Sequence, residues 1–139
     1  MNSAAFASGL PRTMHRELPA GPYAARHARQ QTAGLLLAAH GRLCPEGVAA
    51  DILLIVSELA TNAYLHADPP YALTVSVDEG CAGVAVSDAS AGIPDRPRNR
   101  EALSSHGRGL KIIRGLGAEL YVSRSGWGKQ VIAVLTWQP

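Results

Sequence analysis

Glu58, Asn62 and His66 stand four residues apart within DILLIVSELATNAYLHA, residues 51–67, and offer a carboxylate, a carboxamide and an imidazole. That spacing stacks side chains one turn above the next on a single helix face. Ile52, Ile55, Val56, Leu59 and Ala63 recur every three or four residues between them, which predicts an amphipathic helix over 51–67. Such a polar row is either a solvated helix face, with His66 packed or capping its end, or the working edge of a site. A solvated face normally carries Lys or Arg, and this segment has no basic residue besides His66.

Three further features carry chemistry. Asp88 ends a β-rich run and precedes Ala89-Ser90-Ala91-Gly92-Ile93-Pro94. A carboxylate there accepts a hydrogen bond from an exocyclic amine, and Gly92 lets a ring approach the backbone, although Asp before a Ser-Gly turn is also a common turn device. His106-Gly107-Arg108-Gly109-Leu110 opens directly into a helix. Backbone N–H groups at such a start, with the positive dipole end, make a phosphate cradle, or simply a change of direction. Gly126 to Lys129 reads as a plain glycine-flanked hairpin.

The elements that must position these residues follow from periodicity. Residues 1–11 read as a loose leader and 12–18 as an edge strand. Residues 23–40 predict a helix with Ala28, Leu35, Leu36 and Ala39 inward and Arg26, Arg29 and Gln30 outward, stopped at Gly41. After Asp68-Pro69-Pro70 the period becomes two. Strands over 71–77 and 84–87 are joined by Asp78-Glu79-Gly80, then a long loop covers 89–107. A short helix over 109–117 turns Leu110, Ile113 and Leu116 inward, and strands over 118–124 and 130–137 close the chain. Helices and an antiparallel or mixed sheet are thus segregated. The expected fold is α+β, a two-layer α/β sandwich with helices on one sheet face, forming one domain over 12–139.

Composition narrows the function. A chain of 139 residues with 47% hydrophobic and 17% charged residues is globular. Its net charge of +2 suits a small anion better than a phosphate backbone, and the few aromatics argue against base stacking. Cys44 and Cys81 form neither a disulfide framework nor a metal spacing, so a reduced, cytoplasmic setting is expected. The first charge is Arg12, unlike a signal peptide, and no apolar run approaches the roughly 20 residues of a membrane helix.

The order and spacing of these features resemble a known family. Glu58-Leu59-Ala60-Thr61-Asn62-Ala63 with His66-Ala67 resembles the N box of the GHKL ATPases, the superfamily of gyrase and histidine-kinase ATP domains. Residues 88–92 are similar to its first glycine box, Gly107-Arg108-Gly109-Leu110 to its second, and the strand–Gly-Lys–strand ending to its last element. The length and the ELxTNAxxHA wording look most like the bacterial anti-sigma-factor serine kinases and their single-domain actinobacterial relatives.

The resemblance implies a role for each residue. Asn62 would hold Mg²⁺ that bridges the ATP phosphates, and Glu58 would be the general base. Asp88 would read the adenine amino group, with Gly92 close to the ring. Gly107, Arg108, Gly109 and Leu110 would offer backbone donors to the phosphates. Residues 93–106 would form the ATP lid, with Arg96, Arg98 and Arg100 as phosphate or partner contacts or as solvated charges. His66 receives no catalytic role. The sequence departs from the pattern twice: Ser90 replaces the first glycine of its box, and Gln130 replaces the threonine that usually follows Gly-Lys near the adenine.

Two readings of function follow. One is a regulatory serine kinase that phosphorylates an anti-sigma-factor antagonist and sequesters a sigma factor; kinases of this type often form homodimers. The other is an ATP-binding interaction module with little or no phosphotransfer. Glu58 favours the kinase, and Ser90 and Gln130 favour the module. A nucleic-acid binder using Arg96 to Arg114 leaves the pairing of Glu58 with Asn62 unexplained.

Overall fold

Alternating and helical apolar patterns dominate the chain, and the elements they build follow the expected order. The computed structural model describes residues 12–38, 44–90 and 107–138. Within them lie β1 (Arg12–Leu18), α1 (Ala24–Ala38), α2 (Glu46–His66), β2 (Tyr71–Asp78), β3 (Cys81–Asp88), α3 (Gly107–Gly115), β4 (Glu119–Arg124) and β5 (Lys129–Thr136). The leader over 1–11, Ala39 to Gly41, and the expected lid with Gly92, Arg96, Arg98 and Arg100 lie outside the described residues.

The sheet has the order β1-β2-β3-β5-β4 with every neighbouring pair antiparallel, so of the two sheet types expected it is the antiparallel one. The register sets which residues share a face. Val75 pairs with Val84, Val84 with Ala133, Leu73 with Val86 and Val86 with Val131, and all of these are buried. Their neighbours Thr74, Ala85 and Ile132 fall on the opposite, half-exposed face. The helices cover the first face: α2 packs on β3 and β5, α1 on α2 and β1, and α3 on α2 and β4.

At the centre is α2, whose Ile52, Ile55, Val56 and Leu59 are no more than 1% exposed. Burying each such side chain contributes roughly 1.5–3 kcal/mol, which outweighs intrinsic helix propensity in fixing this element. The helix starts at Glu46 rather than at residue 51. Pro45 is extended before it and accepts the Ala49 N–H at 2.9 Å, while Val48 and Ala49 pack against the core. Gly47 falls in the first turn, ahead of the buried stripe that fixes the helix, so it does not delay the start. The expectation of no membrane-length apolar segment needs correction here. The helix α2, 21 residues long with an 18-residue stretch of mean hydropathy 1.5, is long and apolar enough to cross a membrane, but the buried stripe makes it the core helix of the sandwich.

Other boundaries moved for local reasons. Residues 79 and 80 form the β2–β3 turn alone, with Gly80 at φ 81°, so Asp78 and Cys81 pair and both strands lengthen. Helix α3 covers Gly107–Gly115, not 109–117. Gly117 at φ 89° ends it: its N–H reaches the Arg114 carbonyl and the Ala118 N–H reaches Ile113, a Schellman closure. Leu110 and Ile113 are buried and Leu116 partly so, as the spacing required. Thr32, not foreseen as an inward residue, is fully buried because its hydroxyl donates to the Ala28 carbonyl at 2.8 Å. Both cysteines are free thiols, and burial pushes the Cys44 thiol up from its usual pKa.

Candidate functional site

The polar row of α2 runs from protein into solvent. Glu58 and Asn62 are half-buried and His66 is exposed. Because α2 packs against α3, Glu58 meets the first turn of that helix. A Cβ built on Gly109 would lie 2.7 Å from Glu58 Oε2. The carboxylate therefore occupies the space that any other residue at 109 would fill, beside the helix end whose free N–H groups and dipole attract negative charge. Two motifs about fifty residues apart in the chain thus meet in space. Gly107 and Arg108 belong to the same first turn, and Leu110, 1% exposed, anchors it in the core. The glycine pair does not precede the helix, as expected, but forms part of it.

Asp88 marks the other end of the site. It is 8% exposed and sits at the C-terminal end of β3, opposite Lys129 in the register. Its Oδ2 receives the Lys129 ammonium at 2.8 Å, and its Oδ1 accepts the Ser90 N–H at 2.8 Å. Ser90 therefore has a structural place here. Its hydroxyl accepts the Asp68 N–H at 2.9 Å, and the Ala89 N–H donates to the Asp68 carbonyl at 2.9 Å. These bonds tie the loop after α2 to the exit of β3. Tyr71, at the start of β2, closes that loop onto the helix end by donating to the Ala67 carbonyl at 2.9 Å. Burial first, then the negative charge of Asp68 and Asp88 and the nearby Tyr64, push the Tyr71 phenol above its usual pKa, so it remains a donor.

The glycine-flanked hairpin is more than a change of direction. Gly128 is buried against the backbone of Asp88 and Ala89, and a methyl there would collide with the Asp88 carbonyl oxygen. That close approach delivers Lys129 to Asp88. Lys129 was missed in the sequence because its partner lies 41 residues away; only its place after Gly128, on the strand beside β3, hinted at it. Gln130, the residue noted as a departure, pairs with Ser87 and points to the other sheet face. A recess of about 290 Å³ opens at this end of the sheet, lined in part by Asp88, Lys129, Gln130 and the exposed Trp127. No group of three or more His, Cys, Asp or Glu side chains able to hold a metal occurs among the described residues. Oxygen donors near Glu58 and Asn62 would have to be completed by a ligand.

The family model for the histidine kinase-like ATPase domain matches residues 18–135 of this chain. The chain belongs to that family. No curated protein matches. Among solved structures, the histidine kinase domain from a blue-light activated histidine kinase of Erythrobacter litoralis is 35% identical, with TM-score 0.46, over 67% of this chain and 46% of that one. A second structure of that organism's blue-light activated histidine kinase is 27% identical, with TM-score 0.48, over 82% of this chain and 46% of its own. The chain thus spans about half the length of these proteins. The assignment of this histidine kinase-like ATPase domain to the GHKL type rests on the match over 18–135 and on its α+β sandwich with a five-stranded antiparallel sheet.

Proposed function

We propose that this ATPase domain is a cytoplasmic protein serine kinase of the anti-sigma-factor type. It transfers the ATP γ-phosphate to a serine of an antagonist protein and, through that partner, controls a sigma factor. The observation that carries the reading is the contact of Glu58 with Gly109, which joins a carboxylate to a helix start suited to phosphate. Family membership implies ATP binding.

In this reading the first turn of α3, Gly107 to Leu110, receives the phosphates, and Asp88 accepts the adenine amine. Asn62 would hold Mg²⁺, because a single half-buried amide oxygen leaves the remaining coordination to phosphates and water, as that ion prefers. Bound there, the ion supplies charge neutralisation on the phosphates. Glu58 takes the proton of the attacking serine hydroxyl. The serine oxygen bonds to the γ-phosphorus as the bond to the β–γ bridging oxygen breaks, and ADP leaves. Ser90, bonded to Asp68 and Asp88, supports a formed loop at the Asp88 end of the site.

Calorimetry with ATP, with and without Mg²⁺, tests the site. Wild type is expected to bind ATP more tightly with Mg²⁺, and Asn62→Ala to lose that gain. A wild-type chain with no nucleotide affinity sinks the reading, and binding without transfer to any candidate antagonist favours the interaction module. Gly109→Ala separates geometry from folding. The methyl evicts only the end of a flexible side chain, so the melting temperature should hold. Phosphotransfer should fall, by at least about tenfold, because Glu58 is displaced.

A further inference from the structure

The strands β1 and β4 are the two edges of the sheet, and α3 packs beside the β4 edge. Among the described residues β1 pairs with β2 alone, so the backbone groups along its outer side have no strand partner. Such edges are usually blunted by proline, a bulge or charge. RTMHREL has no proline and pairs without a bulge over all 7 of its residues, so charge is its guard. That charge is one-sided. The register puts Arg12, Met14, Arg16 and Leu18 on the helix-covered face, while Thr13 and His15 bond Ser76 and Thr74 on the other. Beside this edge lies a groove of about 450 Å³, bounded by Met14 and Arg16 on the strand and by Gln31, Gly34, Leu35 and Ala38 on α1. Gly34 keeps it open, since a Cβ there would meet nothing within 4 Å. From Gln31 to Ala38 the groove runs about 10 Å, the length of about three extended residues.

Arg16 is held at one end of this groove. Its Nε–H donates to Gln31 Oε1 at 3.2 Å and one Nη donates to the His15 carbonyl at 2.9 Å. The guanidinium thus keeps further N–H groups for an incoming carboxylate, which it binds as a fork. No carboxylate of the protein competes: α1 contains no acidic residue, and Arg16 has no ion-pair partner among the described residues. We propose that the groove between β1 and α1 is a docking site for an extended acidic segment of a partner protein, which adds to the sheet as a further strand beside β1. Main-chain hydrogen bonds to the strand edge hold the segment, and its alternate side chains enter the groove. One apolar side chain rests on Met14 and Leu35, and a carboxylate two residues away meets Arg16, because Met14 and Arg16 are themselves two apart on one face. A second copy of this chain fits worse, since its own β1 brings Arg12 and Arg16 against the same charges. The groove lies across the sheet from the crossing of α2 with α3, so nucleotide binding and segment docking are tested separately.

The test selects random displayed peptides, about ten residues long, on the full chain. The tightest binder is then synthesised and its affinity measured by fluorescence polarisation for wild type, Gly34→Leu and Arg16→Glu, with a thermal melt and sedimentation of each. Selected peptides should carry Asp or Glu two residues from an apolar residue. Gly34→Leu fills the groove and should weaken binding by about tenfold or more, while its melting temperature holds, because the added side chain enters open space. Arg16→Glu should weaken binding at least as much by repelling the carboxylate, and it carries the same expectation if Gly34→Leu does not fold. Methylating the peptide backbone nitrogens one at a time should weaken binding at every second position, as pairing with one strand edge requires. Failure to select any acidic peptide, or affinity unchanged in both variants, overturns the proposal. So does a methylation profile without the two-residue period. Self-association of wild type that Gly34→Leu abolishes would make a second copy the occupant, and peptide binding that requires deletion of residues 1–11 would make the occupant this chain's own N-terminus; either result also overturns it.

Discussion

Glu58→Gln is expected to reduce phosphotransfer by about 10²–10⁴-fold while leaving ATP affinity within a few-fold of wild type. Glutamine keeps the size and the half-buried position of the side chain, so its packing beside Gly109 and the core stripe of Ile55 and Leu59 is preserved. Only the capacity to take a proton is lost. Removing a negative charge beside the first turn of α3, the proposed phosphate cradle, should tighten ATP slightly. The measurement is transfer of labelled phosphate to an antagonist serine, paired with calorimetry on the same preparation. Transfer that survives at the wild-type rate rules out Glu58 as the base. Loss of binding in parallel with transfer would instead assign it to nucleotide positioning.

Gly128→Ala is expected to be the most destabilising single change considered. Its methyl would meet the Asp88 carbonyl oxygen and lie 3.0 Å from the Ala89 Cα, and both are backbone atoms, the first at the paired end of β3 and the second just after it. Neither yields as a side-chain tip does, so relief requires β3 and β5 to part at the pair of Asp88 and Lys129. Overpacking of this kind costs about 1–3 kcal/mol, and separating a buried ion pair adds to it, against a total stability of roughly 5–15 kcal/mol. The urea midpoint of Gly128→Ala should fall sharply. Gly126→Ala, in the same hairpin but with nothing within 4 Å of its added methyl, should match wild type. Equal midpoints for the two variants would show that the strands part without penalty.

Much of the fold was legible because its elements are built from long periodic runs. The stripe from Ile52 to Ala63 could only be buried on one helix face, and the alternation in 71–77 could only be a strand with one face covered. The edge position of β1 was also readable, since RTMHREL buries only Met14 and Leu18. Element ends were less readable because they depend on partners. Ala82 and Gly83 are poor strand formers, but β2 and β5 flank them and complete their hydrogen bonds. Gly47 and Gly107 look like helix breakers, yet both fall in first turns, where their freedom costs little.

The same division runs through the site. Glu58, Asn62, Asp88 and the Gly107–Gly109 turn were selected by residue type and spacing, because a helix stacks residues four apart and a glycine-rich start exposes N–H groups. What touches what was decided only by tertiary structure. Spacing along the chain does not encode that Glu58 reaches Gly109, since that depends on how α2 and α3 cross. Nor does it encode that Lys129, and not Gln130, faces Asp88, because a register shift of one residue would exchange the two. The sequence by itself determined which chemical groups exist and which element carries each. The packing of α2 on α3 and the pairing of β3 with β5 decided which groups meet, because those contacts join residues tens of positions apart.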